Sequence, residues 1–336
     1  MSHPAPENST PAPSLKPLHA CIGNDLKRVD ELILQQVRDD IRLIHDLSYH
    51  LIASGGKRLR PALTLACAQL CGYQEDRHVR LAACVEFIHT ATLLHDDVVD
   101  DSKLRRGEAT ANDIWGNKPS VLVGDFLLSK AFQLMVADGS LDVLRILSDT
   151  SAVIARGEVH QMMVAGDPET TEATYMEVIT AKTAALFAAA SELGAVVSGR
   201  SDKQAELRGF GMDLGIAFQL VDDALDYAAE QEALGKTIGD DFREGKITLP
   251  VLLAYADGDE KERAFWKRTM EDAEEQKPED LQEAMRYIAK HDTINRTLER
   301  ARDYCNKAHA CLNGFPESDV RDALAETVDF CLSRAY

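Results

Sequence analysis

Residues 86–107 read EFIHTATLLHDDVVDDSKLRRG, an apolar run that ends in four aspartates and two arginines. A helix advances about 100° per residue, so His89, Asp96 and Asp100 fall on one face. Crowding carboxylates on a mostly apolar helix is costly, because like charges repel and burial strips their water. A hard divalent cation removes that cost. Mg²⁺ favours one or two carboxylates together with phosphate oxygens and water. Arg105 and Arg106, just behind, supply planar donor forks suited to phosphate. Acid, metal and base together point to a diphosphate held through Mg²⁺. The alternative for this string alone is a solvated acidic turn followed by a basic one.

A second string favours the first reading. Gln219-Leu220-Val221-Asp222-Asp223-Ala224-Leu225-Asp226 repeats the spacing in another apolar, helical setting. Asp222 and Asp226 share a face, and Gln219 lies one turn earlier on nearly the same side. Asp97, Asp101 and Asp223 lie off the shared faces. Two such helices facing each other would make a cavity with a carboxylate cluster on each wall.

The 336-residue chain has a formal net charge of −19 and is 45% hydrophobic, enough for a large core. Such acidity argues against a nucleic-acid partner, which requires a basic face. Basic residues beside the acidic strings are therefore local exceptions. Seven cysteines, at 21, 67, 71, 84, 305, 311 and 331, form no CxxC pair. This usage predicts a reducing, cytoplasmic setting and no structural zinc. No uncharged apolar run reaches the ~18–20 residues of a membrane span, so no stable membrane insertion is expected. Residues 1–17 hold five of the eleven prolines and no apolar segment, and are expected to be a disordered tail rather than a signal peptide.

Residues 18–336 are expected to form one domain. Apolar residues recur at three- and four-residue spacing from about Asp25 to Ala53. They recur again over 61–71, 78–101, 120–136, 141–165, 172–198, 202–229 and 248–255. Alternating patterns are nearly absent, Gly or Pro marks the breaks, and no repeat period suggests a solenoid. The expectation is an all-α fold: a single large helical bundle around a central cavity. The charged stretch 257–280 reads as a surface helix and loop.

Three basic segments accompany the aspartates. In Ser54-Gly55-Gly56-Lys57-Arg58-Leu59-Arg60-Pro61, two glycines free the backbone, three cations follow, and Pro61 suits a first helical turn. Backbone N–H groups and the positive helix end would face an anion beside Lys57 and Arg60. The spacing of a nucleotide-binding phosphate loop is missing. Lys182-Thr183 lies among alanines, where a lysine either snorkels to solvent or points into the cavity. Lys236 and Lys246 stand in a glycine-spaced loop after the second string, a composition that suits a lid over phosphate or an ordinary surface loop.

Taken together, GGKRLRP, EFIHTATLLHDDVVDDSKLRRG, VLVGDFLLSKAFQLM, GEVHQM, KTAALF, AFQLVDDALDY and GKTIGDDFREGKITLP resemble the trans-polyprenyl diphosphate synthases of the isoprenoid synthase superfamily. Their wording is most similar to the bacterial octaprenyl and related long-chain synthases that make quinone side chains. The resemblance runs from about Leu18 to the end. It implies that Asp96 and Asp100 bind two Mg²⁺ ions and Asp222 a third, supported by Asp226. It implies that Arg105, Lys182, Thr183, Gln219 and Lys236 contact an allylic diphosphate, farnesyl or geranylgeranyl. Lys57, Arg60, His89 and Arg106 would hold isopentenyl diphosphate. It also implies a homodimer.

The product tail must run away from the metals along the helix that leads into Asp96. Thr92 and Ala91, just before it, are small, which leaves the path open and favours a long product, octaprenyl or, as alternatives, one of nine or ten isoprene units. Met135 and Leu147 are candidate floor residues. A rival reading takes His95-Asp96 as part of an HD-type phosphohydrolase, with His45-Asp46 and His291-Asp292 as further pairs. It leaves the second aspartate string unexplained. A terpene cyclase would not need the second diphosphate site at Lys57 and Arg60. A non-catalytic synthase subunit would be expected to lack one of the two strings.

Overall fold

The apolar periodicity resolves into sixteen α-helices and one two-stranded hairpin among the described residues. The computed structural model describes residues 12–53, 56–105, 107–228 and 239–334. Helix α1 (Lys16–Gln36) starts inside the stretch read as a tail, because Leu15 and Leu18 are buried and Ser14 donates its N–H to Glu326 at 3.0 Å. The single helix expected over 25–53 is two. Arg38-Asp39-Asp40 offers nothing apolar to bury, and the Asp39 carboxylate accepts the Ile41 N–H at 2.9 Å, ending one helix before α2 (Arg42–Ala53) begins. The basic loop therefore leads from α2 into α3 (Leu59–Leu70), with Pro61 in its first turn.

The centre of the bundle is built by α3, α4 (Arg77–Val99), α9 (Ala185–Val197) and α10 (Gln204–Asp226). Helix α4 packs on α6 (Asn117–Asp138), and α10 on α15 (Thr293–Leu312). Phe87, Phe187, Phe210 and Leu63 are sealed in this core. Small residues let the backbones close in. A Cβ on Gly194 of α9 would come within 2.5 Å of the Cys67 Cβ on α3. A second core gathers Tyr227, Phe242 and Trp266. The charged 257–280 segment is thus not only a surface helix. Its α13 (Glu260–Glu271) opens with a capping box between Asp259 and Glu262 and turns Trp266 and Met270 inward.

Two irregular pieces of backbone position the site. The helix expected over 172–198 is broken into α8 (Glu172–Ile179), a π turn at Thr180–Ala184, and α9. Two glycines grip that turn. A Cβ on Gly157 of α7 (Leu141–Val164) would stand 2.8 Å from the Ala181 Cβ, and one on Gly215 of α10 would stand 2.6 Å from the Ala184 Cα. The other piece is a hairpin of β1 (Leu104–Arg105) and β2 (Glu108–Ala109), closed through Gly107 at φ 81°. It folds the chain back against the end of α4.

Gly194→Ala separates two effects of opposite sign. Helix propensity favours alanine by about 1 kcal/mol, whereas overpacking costs about 1–3 kcal/mol. With backbone and Cβ of α3 in the way, a net loss of stability is expected in urea denaturation. A net gain would show that α3 and α9 can separate freely.

Candidate active site

From Leu81 to Leu94, α4 is buried apart from half-buried His89, Thr92 and Leu93, a stripe that continues into half-buried Asp96 and Asp100. That stripe is the face that periodicity singles out. The π turn brings Lys182 to it. The Lys182 Nζ lies 2.8 Å from Glu158 Oε2 and 3.8 Å from Asp96 Oδ2. Asp100, the C-cap of α4, is met by Lys246 Nζ at 3.1 Å. Asp97 turns the other way, into the core. One of its oxygens accepts from Arg105 Nε at 2.9 Å and Nη2 at 2.6 Å, and Asn112 binds its backbone carbonyl. Asp97 therefore anchors the arginine that the sequence assigns to phosphate.

The second string divides its labour in the same way. Asp222 is 53% exposed and receives Arg334 Nη2 at 2.9 Å. Asp223 is buried, accepting from the Tyr175 hydroxyl of α8 and from Gln219 Nε2 at 2.7 Å. The Gln219 oxygen accepts in turn from Thr183 at 2.7 Å, so these two predicted diphosphate contacts stand together. Asp226 accepts the N–H groups of Asp240 at 3.2 Å and Asp241 at 3.1 Å, fastening the start of α11 (Asp240–Arg243). Lys246 follows α11 and pairs with Glu244 as well as Asp100, so this lysine ties the first string to the loop that Asp226 fastens.

Beside them lies a second cationic patch. Arg60 donates to His89 Nε2 at 3.1 Å, and its guanidinium lies 4.5 Å over the Phe187 ring. Arginine only donates, so Nε2 is the acceptor in this contact. Lys57 Nζ rests 4.8 Å over the ring of Phe330. Arg58 turns away to Glu86 and the Ile52 carbonyl, in a left-handed backbone conformation at φ 47°. Arg106 and Lys236 lie outside the described residues. Of the chain-length candidates, Ala91, Met135 and Leu147 are packed in the core, and Thr92 sits on the open stripe.

The electrostatics follow from burial. Burial pushes the Asp96 carboxyl up to about 7; Lys182 opposes this, and Glu158 and Asp100 add to it. Asp223 rises to about 7 and Asp226 to about 6, again chiefly through burial. Asp241 is pushed well up by burial and by Asp226 and Asp223. Burial pulls Lys246 down, but Asp100, Asp241 and Glu244 more than reverse that.

Among the described residues, no three His, Cys, Asp or Glu side chains converge to hold an ion unaided. The donor set instead fits Mg²⁺, which takes one or two carboxylates and completes its shell with phosphate and water. Lys182, Lys246 and Arg334 already stand as cations against Asp96, Asp100 and Asp222. The other Glu158 oxygen, Oε1, is buried without a partner among the described residues. Glu158, Tyr175, Asp241 and Arg334 were not singled out from sequence. Glu158 and Asp241 left a trace, the first inside GEVHQM beside the glycine that grips the π turn, the second inside GKTIGDDFREGKITLP. The HD arrangement is not assembled. His95 faces the Val121 carbonyl at 3.3 Å and Asp125 at 3.5 Å, His45 pairs with its neighbour Asp46, and His291 with Glu262.

An all-α bundle with two aspartate walls, ringed by lysines and arginines at one end, is the architecture of an isoprenoid synthase. The chain belongs to the polyprenyl synthetase family, whose model matches residues 41–288. It is 43% identical to the octaprenyl diphosphate synthase of Haemophilus influenzae, covering 93% of this chain and 94% of that protein. It is 42% identical to the octaprenyl diphosphate synthase of Escherichia coli over 96% of this chain and 99% of that one. Its structure is similar to a polyprenyl synthase from Caulobacter crescentus complexed with calcium and isoprenyl diphosphate, at TM-score 0.93 and 50% identity over 98% of this chain and 100% of that one. A decaprenyl diphosphate synthase from Rhodobacter capsulatus follows at TM-score 0.91 and 47% identity, over 96% and 100% of the two chains.

Raised carboxyl values tie stability to pH. Unfolded aspartates ionise near 3.8, whereas Asp96 and Asp223 keep their protons to about 7 when folded. The folded chain binds more protons between these values, so its stability falls as pH rises through that window. The Tm of the metal-free protein is expected to drop from about pH 5 to about pH 7.5, and Mg²⁺ with inorganic pyrophosphate to restore more at the upper end. A Tm that climbs steadily across the window would contradict the buried carboxyl values.

Proposed function

We propose that the chain is a Mg²⁺-dependent long-chain trans-prenyltransferase. It condenses farnesyl or geranylgeranyl diphosphate with successive isopentenyl diphosphates, giving a polyprenyl diphosphate, octaprenyl, for quinone side chains. The observation that carries this reading is the pairing of two aspartate strings, the first reached by Lys246 of the loop that the second fastens, with the separate cationic patch of Lys57, Arg60 and His89. One diphosphate needs only the first; two substrates need both.

Asp96, Asp100, Asp222 and Asp226 are the groups proposed to hold three Mg²⁺ ions, which when bound offset the negative charge of the departing diphosphate. Arg105, Lys182, Thr183, Gln219 and Lys236 orient the allylic diphosphate, with Arg105 held in place by Asp97. Lys57, Arg60, His89 and Arg106 set the second diphosphate so that its double bond faces the allylic carbon. The apolar walls keep water from the allylic cation. The proton lost in each cycle has no obvious side-chain acceptor, and the released pyrophosphate suits that role.

Exposed apolar side chains support a homodimer. Leu122, Phe132 and Val136 of α6 and Val159, Met162 and Met163 of α7 face outward. Helix α6 is long and apolar enough to cross a membrane, yet it carries Asp125 and Lys130, which a subunit interface tolerates better than lipid. Leu122→Glu is expected to convert a dimer into monomers in analytical ultracentrifugation. An unchanged species would place the interface elsewhere.

The purified chain, given Mg²⁺, farnesyl diphosphate and labelled isopentenyl diphosphate, is expected to yield a ladder of products ending near octaprenyl. Absence of condensation by the single chain would overturn the reading. Thr92→Phe, on the open stripe, is expected to truncate the ladder with the fold intact. Ala91→Phe, packed in the core, is expected to shorten the product and also to lower Tm. An unchanged ladder in both variants would move the tail path away from α4.

A further inference from the structure

The last helix, α16 (Asp319–Ser333), ends beside both halves of the site. Phe330 lies under Lys57, and Arg334, one turn later, reaches Asp222 Oδ1 with Nη2 at 2.9 Å. The Arg334 guanidinium lies 4.8 Å over the Phe218 ring, Phe218 packs on Phe187 at 5.5 Å, and Phe187 carries Arg60 on its own face at 4.5 Å. An aromatic pair is thus flanked by one arginine from α3 and one from the end of α16.

The contact is asymmetric. Arg334 is only 15% exposed and its Nη1 is buried without a partner among the described residues, whereas Asp222 is 53% exposed. A buried guanidinium nitrogen with no acceptor is costly, so the arginine is held here by Asp222 and the ring rather than by a full set of bonds. The lysines on the other carboxylates differ. Lys182 keeps Glu158, and Lys246 keeps Glu244, if Asp96 or Asp100 is engaged elsewhere. Among the described residues, Arg334 shows no second carboxylate. A divalent ion on Asp222 would stand too close to the guanidinium for two like charges at a partly desolvated position.

We propose that Arg334 is the resident counter-ion of Asp222, which a divalent cation must displace, so that loading the second aspartate wall releases the last turn of α16. The inference rests on the reading of Asp222 as a metal ligand. It makes the carboxy-terminal turn, which also lies under Lys57, responsive to metal occupancy at the opposite diphosphate. Phe330 and Arg334 lie four residues apart, on the same face of the helix, so movement of one is felt at the other.

The test is calorimetric titration of the full chain with Mn²⁺ in the presence of inorganic pyrophosphate. Arg334→Gln removes the competing charge and is expected to bind Mn²⁺ about fivefold more tightly, the scale of one partly exposed ion pair. In an Asp222→Asn background the same substitution is expected to change nothing. Equal or weaker binding by Arg334→Gln, or tightening that persists without Asp222, overturns the proposal. If instead Asp222→Asn leaves Mn²⁺ binding intact, the metal reading of Asp222 fails, and the proposal with it. A second readout needs no change at Arg334. Trypsin removes the last two residues after Arg334, and mass spectrometry follows their loss. Metal-free Asp222→Asn is expected to lose them several-fold faster than the unaltered chain, and equal rates overturn the proposal.

Discussion

Carboxylates crowded inside an apolar bundle repel one another and lack water, and the chain answers that constraint with each kind of partner it has. Burial pushes the Asp96 and Asp223 carboxyls up to about 7 and Asp226 to about 6, so these groups give up their protons less readily than free aspartates. Ammonium and guanidinium groups meet Asp96, Asp97, Asp100 and Asp222. Backbone N–H groups meet Asp226. The partners are not interchangeable. Asp97 and Asp223 turn inward and are bonded to groups that build the frame, namely Arg105, Asn112, Tyr175 and Gln219. Asp96, Asp100 and Asp222 turn outward and meet cations on long stems, which are readily exchanged. Each string therefore contains one aspartate that sets geometry and others that remain available to a ligand.

The geometry depends equally on departures from regular backbone. In an unbroken helix over 172–198, Lys182 would follow the 3.6-residue period of α8. The π turn adds a residue to one turn and shifts that phase, which is a common use of such bulges at functional sites. The turn is not held by its own hydrogen bonds alone. Gly157 and Gly215 allow α7 and α10 to close on it, and the first of these contacts also delivers Glu158 to Lys182. The short β hairpin plays the same part for Arg105, folding it back onto Asp97 instead of leaving it in solvent.

Much of this could be read from the sequence where the cause is local. Helical periodicity placed His89, Asp96 and Asp100 on one face, and the structure shows that stripe as the only part of α4's middle left half-open. The aspartate strings, the basic loop before Pro61 and the all-α class follow from residue type at short spacing. The break at Arg38–Asp40 was missed because apolar residues resume in phase beyond it. Other failures share one physical reason. Lys182 and Glu158 are 24 residues apart, Tyr175 and Asp223 48 apart, and Asp222 and Arg334 112 apart. Nothing local marks a tyrosine on α8 or an arginine at the end of α16 as a partner of an aspartate on α10. Only the packing of those helices brings them together.

Both aspartate strings also stand at helix carboxyl ends, since α4 stops at Val99 and α10 at Asp226. Unpaired carbonyls give such ends a partial negative charge. Acids are normally excluded from them, and here the dipoles add to the repulsion among the carboxylates. Among the described residues, only Asp226 is compensated by backbone N–H groups, at the start of α11. Stability alone would favour amides or cations at these positions. Their placement makes sense if the unfavourable field is the working part. A site whose carboxylates are raised and incompletely neutralised has more to gain from a divalent cation, and it discharges protons and internal cations as that cation enters. On the proposed reading, the same field that weakens the metal-free bundle would be what attracts the metal and, through it, the diphosphate.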